Sequence, residues 1–171
     1  MKLRQFYNVF KKSLAISRRA RAAFEQGLHS CESCGHAVAL DTLTPLSVVA
    51  CPKCGVNNLV PYRLGDYLLF EPLGAGGVSS VYKAVHRSRE NTFFAVKLLR
   101  DDREITETTL REFEFEAGVH HAVSPHPSIV RFIEAGTLGG DHFHAMEFVP
   151  GESVKRRVES SGRIPEILAL T

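Results

Sequence analysis

The sequence lacks several features that would place it in a functional class at once. Its 171 residues carry a net charge of only +2, too small to predict a polyanion partner for the whole molecule. It has no apolar run of the roughly 20 residues that a membrane-spanning helix needs. Lys11 and Lys12 interrupt the region where a secretory signal would have its apolar core. An organelle transit peptide is an alternative for this Arg-rich start, but no linker follows it, and we expect a cytoplasmic globular protein.

The chain divides into three segments by composition. Residues 1–28 have apolar residues at helical spacing, basic residues opposite them and no acidic residue before Glu25, which predicts a basic amphipathic helix. Residues 29–60 hold all four cysteines, and residues 61–171 alternate between strand and helix patterns. The basic helix offers a contact for phosphates or anionic lipid, although we favour packing on its neighbour. Aromatic and basic residues do not interleave, so we expect no nucleic-acid partner.

The cysteines occur in two copies of one motif, CESCG at 31–35 and CPKCG at 51–55. Each copy places two thiols on a tight turn, and the two turns together supply the four sulfurs of a structural zinc site. The intervening HAVAL and LSVVA stretches are expected to pair as a short hairpin. Two disulfides are the alternative, but they require an oxidising compartment. We predict a zinc ribbon with no open position for catalysis, whose metal ligands are Cys31, Cys34, Cys51 and Cys54.

A glycine-rich stretch, LGAGGVSSVYKA at 73–84, lies between two strand-like segments, DYLLFEPL and SVYKAVH. The glycines therefore fall in a hairpin turn, whereas a Rossmann fingerprint would open a helix. Small residues let backbone N–H groups approach phosphate oxygens closely. Val81 follows the turn, where an apolar side chain can cover a base.

The next predicted strand, NTFFAVKLLR, places Lys97 on the same face as Ala95. Ala95 leaves room for a flat ring, and Lys97 can reach the phosphates. A buried lysine needs a carboxylate partner. The following helix, expected over roughly 107–123, offers three glutamates, of which we choose Glu116 because it lies far from the helix start.

Several stretches, in this order, resemble the protein kinase family, especially the bacterial serine/threonine kinases. LGAGGVSSVYKA is similar to the glycine-rich loop, FAVK to the lysine strand and EFEFEAG to the helix that supplies the glutamate. SPHPSIVRFIEAG resembles the turn and fourth strand, HFHAMEFVPGESV the fifth strand and hinge, and SGRIPEILAL the entry to the C-terminal lobe. The resemblance implies an α+β fold: a zinc ribbon, then an N-terminal lobe of five antiparallel strands and one main helix, ending where the C-terminal lobe begins.

The resemblance also implies site residues. Met146 occupies the gatekeeper position, and the backbones of Glu147 and Val149 are expected to contact adenine. Lys97 and Glu116 are the expected catalytic residues. The residues expected to bind ATP are Leu73, Gly74, Ala75, Gly76, Gly77, Val78, Ser79, Val81, Ala95, Lys97, Met146, Glu147 and Val149.

The H-R-D and D-F-G motifs, which supply the base and the Mg²⁺ ligand in kinases, are missing from the chain. We therefore predict the ATP-binding N-terminal part of a serine/threonine kinase, with ATP and a protein as substrates and Mg²⁺ required in the complete enzyme. We expect this chain alone to be inactive. The alternative is a non-catalytic adaptor that uses the zinc ribbon and half-kinase to bind protein or nucleic acid. Intact Lys97 and Glu116 argue against a degenerate remnant.

Overall fold

The computed structural model describes residues 18–99 and 105–163. The predicted basic helix is represented by its last part, α1, and its apolar stripe over residues 1–17 lies outside the described residues, as does the proposed lipid contact there. None of the described helices combines the length and hydropathy that a bilayer crossing requires. The described residues 18–60, called the cysteine segment from here on, contain α1 (Arg18–Glu25), β1 (Leu28–Ser30), β2 (Ala37–Ala39), a 3₁₀ turn (Leu40–Thr42), β3 (Val48–Ala50) and β4 (Asn57–Leu59).

The cysteine segment forms two separate hairpins. Strand β1 pairs with β2, and β3 pairs with β4, so the predicted hairpin between HAVAL and LSVVA is wrong. The reason is that each cysteine turn is itself the turn of a hairpin. The N–H of Cys31 donates to the carbonyl of His36 at 2.8 Å, and the N–H of Gly35 donates back to Cys31 at 2.9 Å. Gly35 takes a φ of 73°, a region that favours glycine.

Residues beyond Val60 form a six-stranded antiparallel sheet in the order β5-β6-β7-β8-β10-β9. The five predicted strands are present, and one short strand, β5, adds to the edge. This strand was not predicted because three residues are too few to show an alternating pattern. The strands are β5 (Tyr62–Leu64), β6 (Tyr67–Ala75), β7 (Ser79–His86), β8 (Arg89–Leu99), β9 (Phe132–Leu138) and β10 (Asp141–Glu147).

One face of this sheet forms the main core. Its side chains come from alternate strand positions, as a two-residue period requires, and Phe94 and Val96 on β8 are almost fully buried. Phe143 on β10 and Leu69 on β6 pack in the same cluster. The opposite face carries the alternate set, in which Ala95 and Lys97 belong to β8. Burial of the first face therefore leaves the second for the candidate site.

Two further helices flank the sheet. Helix α2 (Glu107–Val123) has the predicted bounds, and Thr106 caps it by accepting from the N–H of Thr109 at 3.2 Å. It buries Phe113 and Ala117, which are four residues apart and therefore lie on one helix face. Helix α3 (Val154–Ser161) follows the sheet and is capped by Ser153.

The cysteine segment packs directly on the sheet. Leu46 of this segment packs against the main core of the sheet. Phe24 of α1 packs against a small cluster on β6 and β7. The guanidinium of Arg63 on β5 forms an ion pair with Glu25 at the end of α1. These contacts join the two segments in addition to the chain connection.

Candidate functional site

The glycine-rich stretch is a hairpin turn between β6 and β7, as predicted. Gly74 pairs with Val81 and Ala75 with Ser80, and the N–H of Gly76 donates to the carbonyl of Ser79 at 2.8 Å. None of the turn glycines 74, 76 and 77 takes a positive φ. A Cβ on Gly74 or Gly77 would meet nothing within 4 Å. The fold itself therefore does not demand glycine there, and the small residues leave open space above the turn.

Lys97 contacts Glu116 across the gap between β8 and α2. Its Nζ lies 2.5 Å from both Oε1 and Oε2 of the carboxylate. The lysine side chain is 18% exposed and the glutamate side chain 58% exposed. A second, weaker neighbour is Phe113, whose ring centroid lies 5.6 Å from Nζ. The predicted pairing of Lys97 with Glu116 is thus present between the sheet and α2.

Other predicted residues lie in two rows on the same face of the sheet. In the first row Val81 is directly opposite Lys97, and in the second Ala95 is directly opposite Met146. Directly paired residues in an antiparallel sheet put their side chains on one face, about 5 Å apart. Ala95 is buried, whereas Val81 and Met146 are half-buried. The structure therefore brings these four residues together below the glycine turn.

The two residues predicted to contact adenine through their backbones lie at the end of β10 and just beyond it. The N–H of Glu147 donates to the carbonyl of Arg131 at 2.9 Å, and its carboxylate accepts from the N–H of Arg131 at 2.9 Å. Val149 lies outside the strand and its side chain is 59% exposed. The strand thus ends at Glu147, and the chain continues without regular structure to Ser153, the cap of α3.

His144 is a site neighbour that the sequence did not indicate. It lies opposite Lys97 on β10, is buried, and its ring centroid lies 3.9 Å from that of Phe113. Burial lowers the pKa of His144, the positive charge of Lys97 lowers it further, and Glu116 opposes this shift. The imidazole is therefore held towards its neutral form between the sheet and α2. The alternating pattern of HFHAMEF indicates on which side of β10 the His144 side chain lies, but it does not indicate that the side chain is buried.

The second unexpected feature is a charged pair on the same sheet face, in which Lys83 is buried and Glu71 is half-buried. The Nζ of Lys83 lies 3.8 Å from Oε2 of Glu71. Burial lowers the pKa of Lys83 against the opposing effect of the carboxylate, and burial raises the pKa of Glu71 against the effect of the lysine. A lysine in an alternating strand is typical of a solvent-facing position, so the sequence did not indicate this burial.

The four cysteines converge at one point between the two hairpins. Their Sγ atoms all lie within 4.8 Å of one another, and none of the four forms a disulfide. The Cys31–Cys54 and Cys34–Cys51 sulfur pairs are each 3.6 Å apart. Four sulfurs about 2.3 Å from a tetrahedral zinc are about 3.8 Å from one another, so the cluster has the dimensions of such a site.

Neighbouring groups support this cluster. The side-chain amide of Asn58 approaches Cys31 Sγ at 3.5 Å and its Oδ1 accepts from the N–H of Glu32 at 3.0 Å. Arg19 of α1 donates to the carbonyl of Cys31 at 3.2 Å. Burial raises the pKa of Cys31, but hydrogen bonds from backbone amides, Cys54 and Asn58 outweigh it and lower the pKa to about 6. Such hydrogen bonds favour a thiolate, the form of cysteine that binds metals.

Comparison with known proteins identifies the third segment, which contains the six-stranded sheet. The family model of the protein kinase domain matches residues 67–169, more than half of the chain. A probable serine/threonine-protein kinase of Clostridium perfringens is 34% identical over 105 residues, which are 61% of this chain and 15% of that protein. The serine/threonine-protein kinase PrkC of Bacillus subtilis is 30% identical over 100 residues, which are 57% of this chain and 15% of that protein. The chain thus spans a small part of the length of these relatives.

Solved structures agree on the fold. The kinase domain of Mycobacterium tuberculosis PknI, crystallised as a double mutant, is 24% identical and superposes with a TM-score of 0.52. The match covers 63% of this chain and 44% of the PknI chain. At this identity the likeness shows the fold alone.

Proposed function

The chain belongs to the protein kinase family, and on that premise we propose that its N-terminal-lobe residues bind ATP for transfer of the γ-phosphate to protein hydroxyls. The observation that carries this proposal is the contact of Lys97 Nζ with both carboxylate oxygens of Glu116 at 2.5 Å. A lysine fixed by a helical glutamate, under a glycine turn, is the arrangement by which kinases hold the ATP phosphates. Lys97 and Glu116 are therefore the catalytic residues of this proposal.

The other predicted residues take roles that follow from their positions. The glycine turn, residues 74–79, covers the phosphates with backbone N–H groups, and its open space supports this role. Val81 and Ala95 contact the adenine ring from the sheet, and Met146 closes its inner end. Glu147 and Val149 contact adenine through their backbones, and Leu73 covers the outer edge. ATP makes these contacts on only one wall of the kinase cleft.

Phosphoryl transfer requires further groups. Within this proposal the base and the Mg²⁺ ligands belong to a C-terminal lobe, because neither motif that supplies them occurs in the chain. Mg²⁺, when bound in the complete enzyme, neutralises charge on the phosphates. The present residues bind and orient the nucleotide, and we expect no transfer by this chain alone. A hydroxyl of serine or threonine in a protein is the proposed acceptor.

The test compares three proteins in a radiolabelled-phosphate transfer assay: this chain, the chain extended in frame by its downstream coding sequence, and the extended protein with Lys97→Met. We expect transfer to serine or threonine only by the second. A matched control is Arg111→Met, which removes an exposed basic side chain of α2 that pairs with Glu107 away from the site. Transfer by this chain alone, or full activity of Lys97→Met, contradicts the proposal.

The proposal includes a structural zinc held by Cys31, Cys34, Cys51 and Cys54. The sulfur distances, the absence of disulfides among these four and the Asn58 contact support it. A shell of four thiolates is closed, so the metal stabilises the ribbon and takes no part in transfer. We expect one zinc per chain by metal analysis. Metal-free protein with full ribbon structure, or two disulfides by mass spectrometry, contradicts this part.

A further inference from the structure

Lys83 is the most deeply buried charged side chain on the candidate-site face. It is 2% exposed and is among the largest side chains that are fully buried in the described residues. Lysines are almost never buried to this extent unless other groups compensate the lost hydration. We therefore expect Lys83 to have a specific role in the folded protein, and the groups around it indicate that role.

Aromatic rings surround the ammonium group. Its Nζ lies 4.3 Å from the ring centroid of Phe93, 4.5 Å from that of Phe148 and 6.0 Å from that of Phe70. All three distances are within the reach of a cation–π interaction, which strengthens when the groups are desolvated. Phe93 also meets Phe148 and Phe70 edge-on or tilted, with centroids 6.2 Å apart in each pair. We call Lys83 and these three phenylalanines the lysine–aromatic cluster.

Glu71 completes the charge balance of the cluster. Its Oε2 lies 3.8 Å from Lys83 Nζ, which is an ion pair longer than a direct hydrogen bond. The same oxygen is buried and has no hydrogen-bond partner among the described residues. The carboxylate therefore lies close enough to attract the ammonium of Lys83 through space, and the rings of Phe93 and Phe148 lie beside the same ammonium.

Two rings of the cluster lie on strands of the sheet, and the third lies on backbone without regular structure. Phe70 and Phe93 lie on β6 and β8, and Phe24 of α1 packs against the buried cluster that contains Phe70. Phe148, in contrast, follows β10 directly and lies in a segment without regular structure. Of the three rings, Phe148 is thus the one whose backbone the sheet does not hold.

Phe148 stands between Glu147 and Val149, the two residues assigned to adenine. Lys83 lies directly opposite Ala95 on the neighbouring strand and two residues after Val81 on its own strand. The cluster consequently borders the end of the adenine position. We propose that Lys83 is a positioning residue for the hinge, whose ammonium, held by Glu71, fixes the Phe148 ring and with it the backbone of residues 147–149. The consequence for ATP rests on the proposed function, but the positioning itself does not.

Hydrogen exchange of backbone amides in this chain tests the positioning without any nucleotide. Lys83→Met keeps the length of the side chain and removes its charge, whereas Lys83→Arg keeps the charge. We expect the amides of Phe148 and Val149 to exchange roughly tenfold faster in Lys83→Met, as loss of a desolvated cation–π contact predicts. Lys83→Arg should restore slow exchange, and the amide of Ala145 inside β10 should not change. The matched control is Lys155→Met on the exposed face of α3.

Equal exchange of Phe148 and Val149 in the wild type and Lys83→Met overturns the inference. A uniform increase in amide exchange rate that includes Ala145 also overturns the inference, because it would show that Lys83 stabilises the core as a whole. Should Lys83→Met fail to fold, Phe148→Leu replaces it, since leucine stays apolar but lacks a ring face. Faster exchange of Val149 in Phe148→Leu supports the inference, and unchanged exchange overturns it.

An ATP titration of the same proteins separates this inference from the proposed function. If ATP shifts no amide of the wild-type glycine turn, the proposed function fails, while the exchange result still decides the role of Lys83. If ATP binds the wild type, Lys83→Met should weaken the amide shifts at Glu147 and Val149 more than those at Gly76 and Gly77. Equal weakening at both places contradicts a role at the hinge.

Discussion

Replacing Glu116 by glutamine should separate stability from catalysis at the Lys97–Glu116 pair. Glutamine has the same shape and keeps one oxygen to accept from Lys97, but it removes the charge. The glutamate side chain is 58% exposed, so water screens the pair. Exposed ion pairs contribute about 0–1 kcal/mol to the free energy of unfolding. For a chain of this length a change of that size lowers the Tm by at most about 4 °C.

Catalysis should respond much more strongly to Glu116→Gln. The carboxylate contacts Lys97 Nζ with both oxygens at 2.5 Å and so fixes the direction of the ammonium. Misplacement of a catalytic group by about 1 Å can cost on the order of a hundredfold in rate, and we expect a loss of that order in the extended protein. Circular dichroism gives the Tm and radiolabelled-phosphate transfer the rate.

The control for this variant is Glu112→Gln, on the same helix and exposed. It should change neither the Tm nor the transfer rate measurably. A fall in Tm of Glu116→Gln several times larger than expected would show that the pair supports the fold. An unchanged transfer rate would refute the positioning of Lys97 by Glu116.

Three further predictions follow from the structure. Asn58→Ala, which removes the amide beside Cys31 Sγ, should weaken zinc binding by roughly 10- to 100-fold in a chelator competition. The folded-state pKa of His144 is lowered from 6.5, so its stabilising contribution is present above that pH and is lost as the unfolded state takes up the proton below it. Urea unfolding between pH 7 and 5 should therefore show a steeper loss for wild type than for His144→Leu. Thr106→Ala removes the cap of α2 and should cost about 1 kcal/mol in the same assay.

Local patterns in the sequence were sufficient to predict the elements that carry the candidate site. The alternation Phe93 to Leu98 predicts β8 and the face of Lys97, because a strand has a period of two residues. Helix α2 was predicted over the residues where it lies. The choice of Glu116 rested on its distance from the helix start, and the observed contact with Lys97 agrees with that choice. These features depend on neighbours within a few residues.

Features that depend on distant residues were not predictable in the same way. The burial of Lys83 arises from Phe93 and Phe148, which are far apart in the sequence and meet only when β8 and β10 pair. His144 is buried because Phe113 of α2 covers it. The hairpin pairing in the ribbon was wrong because strand propensity identifies strands but does not identify partners.

The contacts between ribbon and sheet argue that the ribbon supports the lobe and is not merely tethered to it. Leu46 packs against the main core while its backbone takes a φ of 58°, which a leucine rarely adopts unless its surroundings impose it. Phe24 packs on the opposite face, against the cluster that includes Phe70. The ribbon and α1 together therefore contact both faces of the sheet. Because the lysine–aromatic cluster continues from Phe70 to Phe148, we expect loss of the ribbon fold to loosen the same end of the proposed adenine position that Lys83 is proposed to hold.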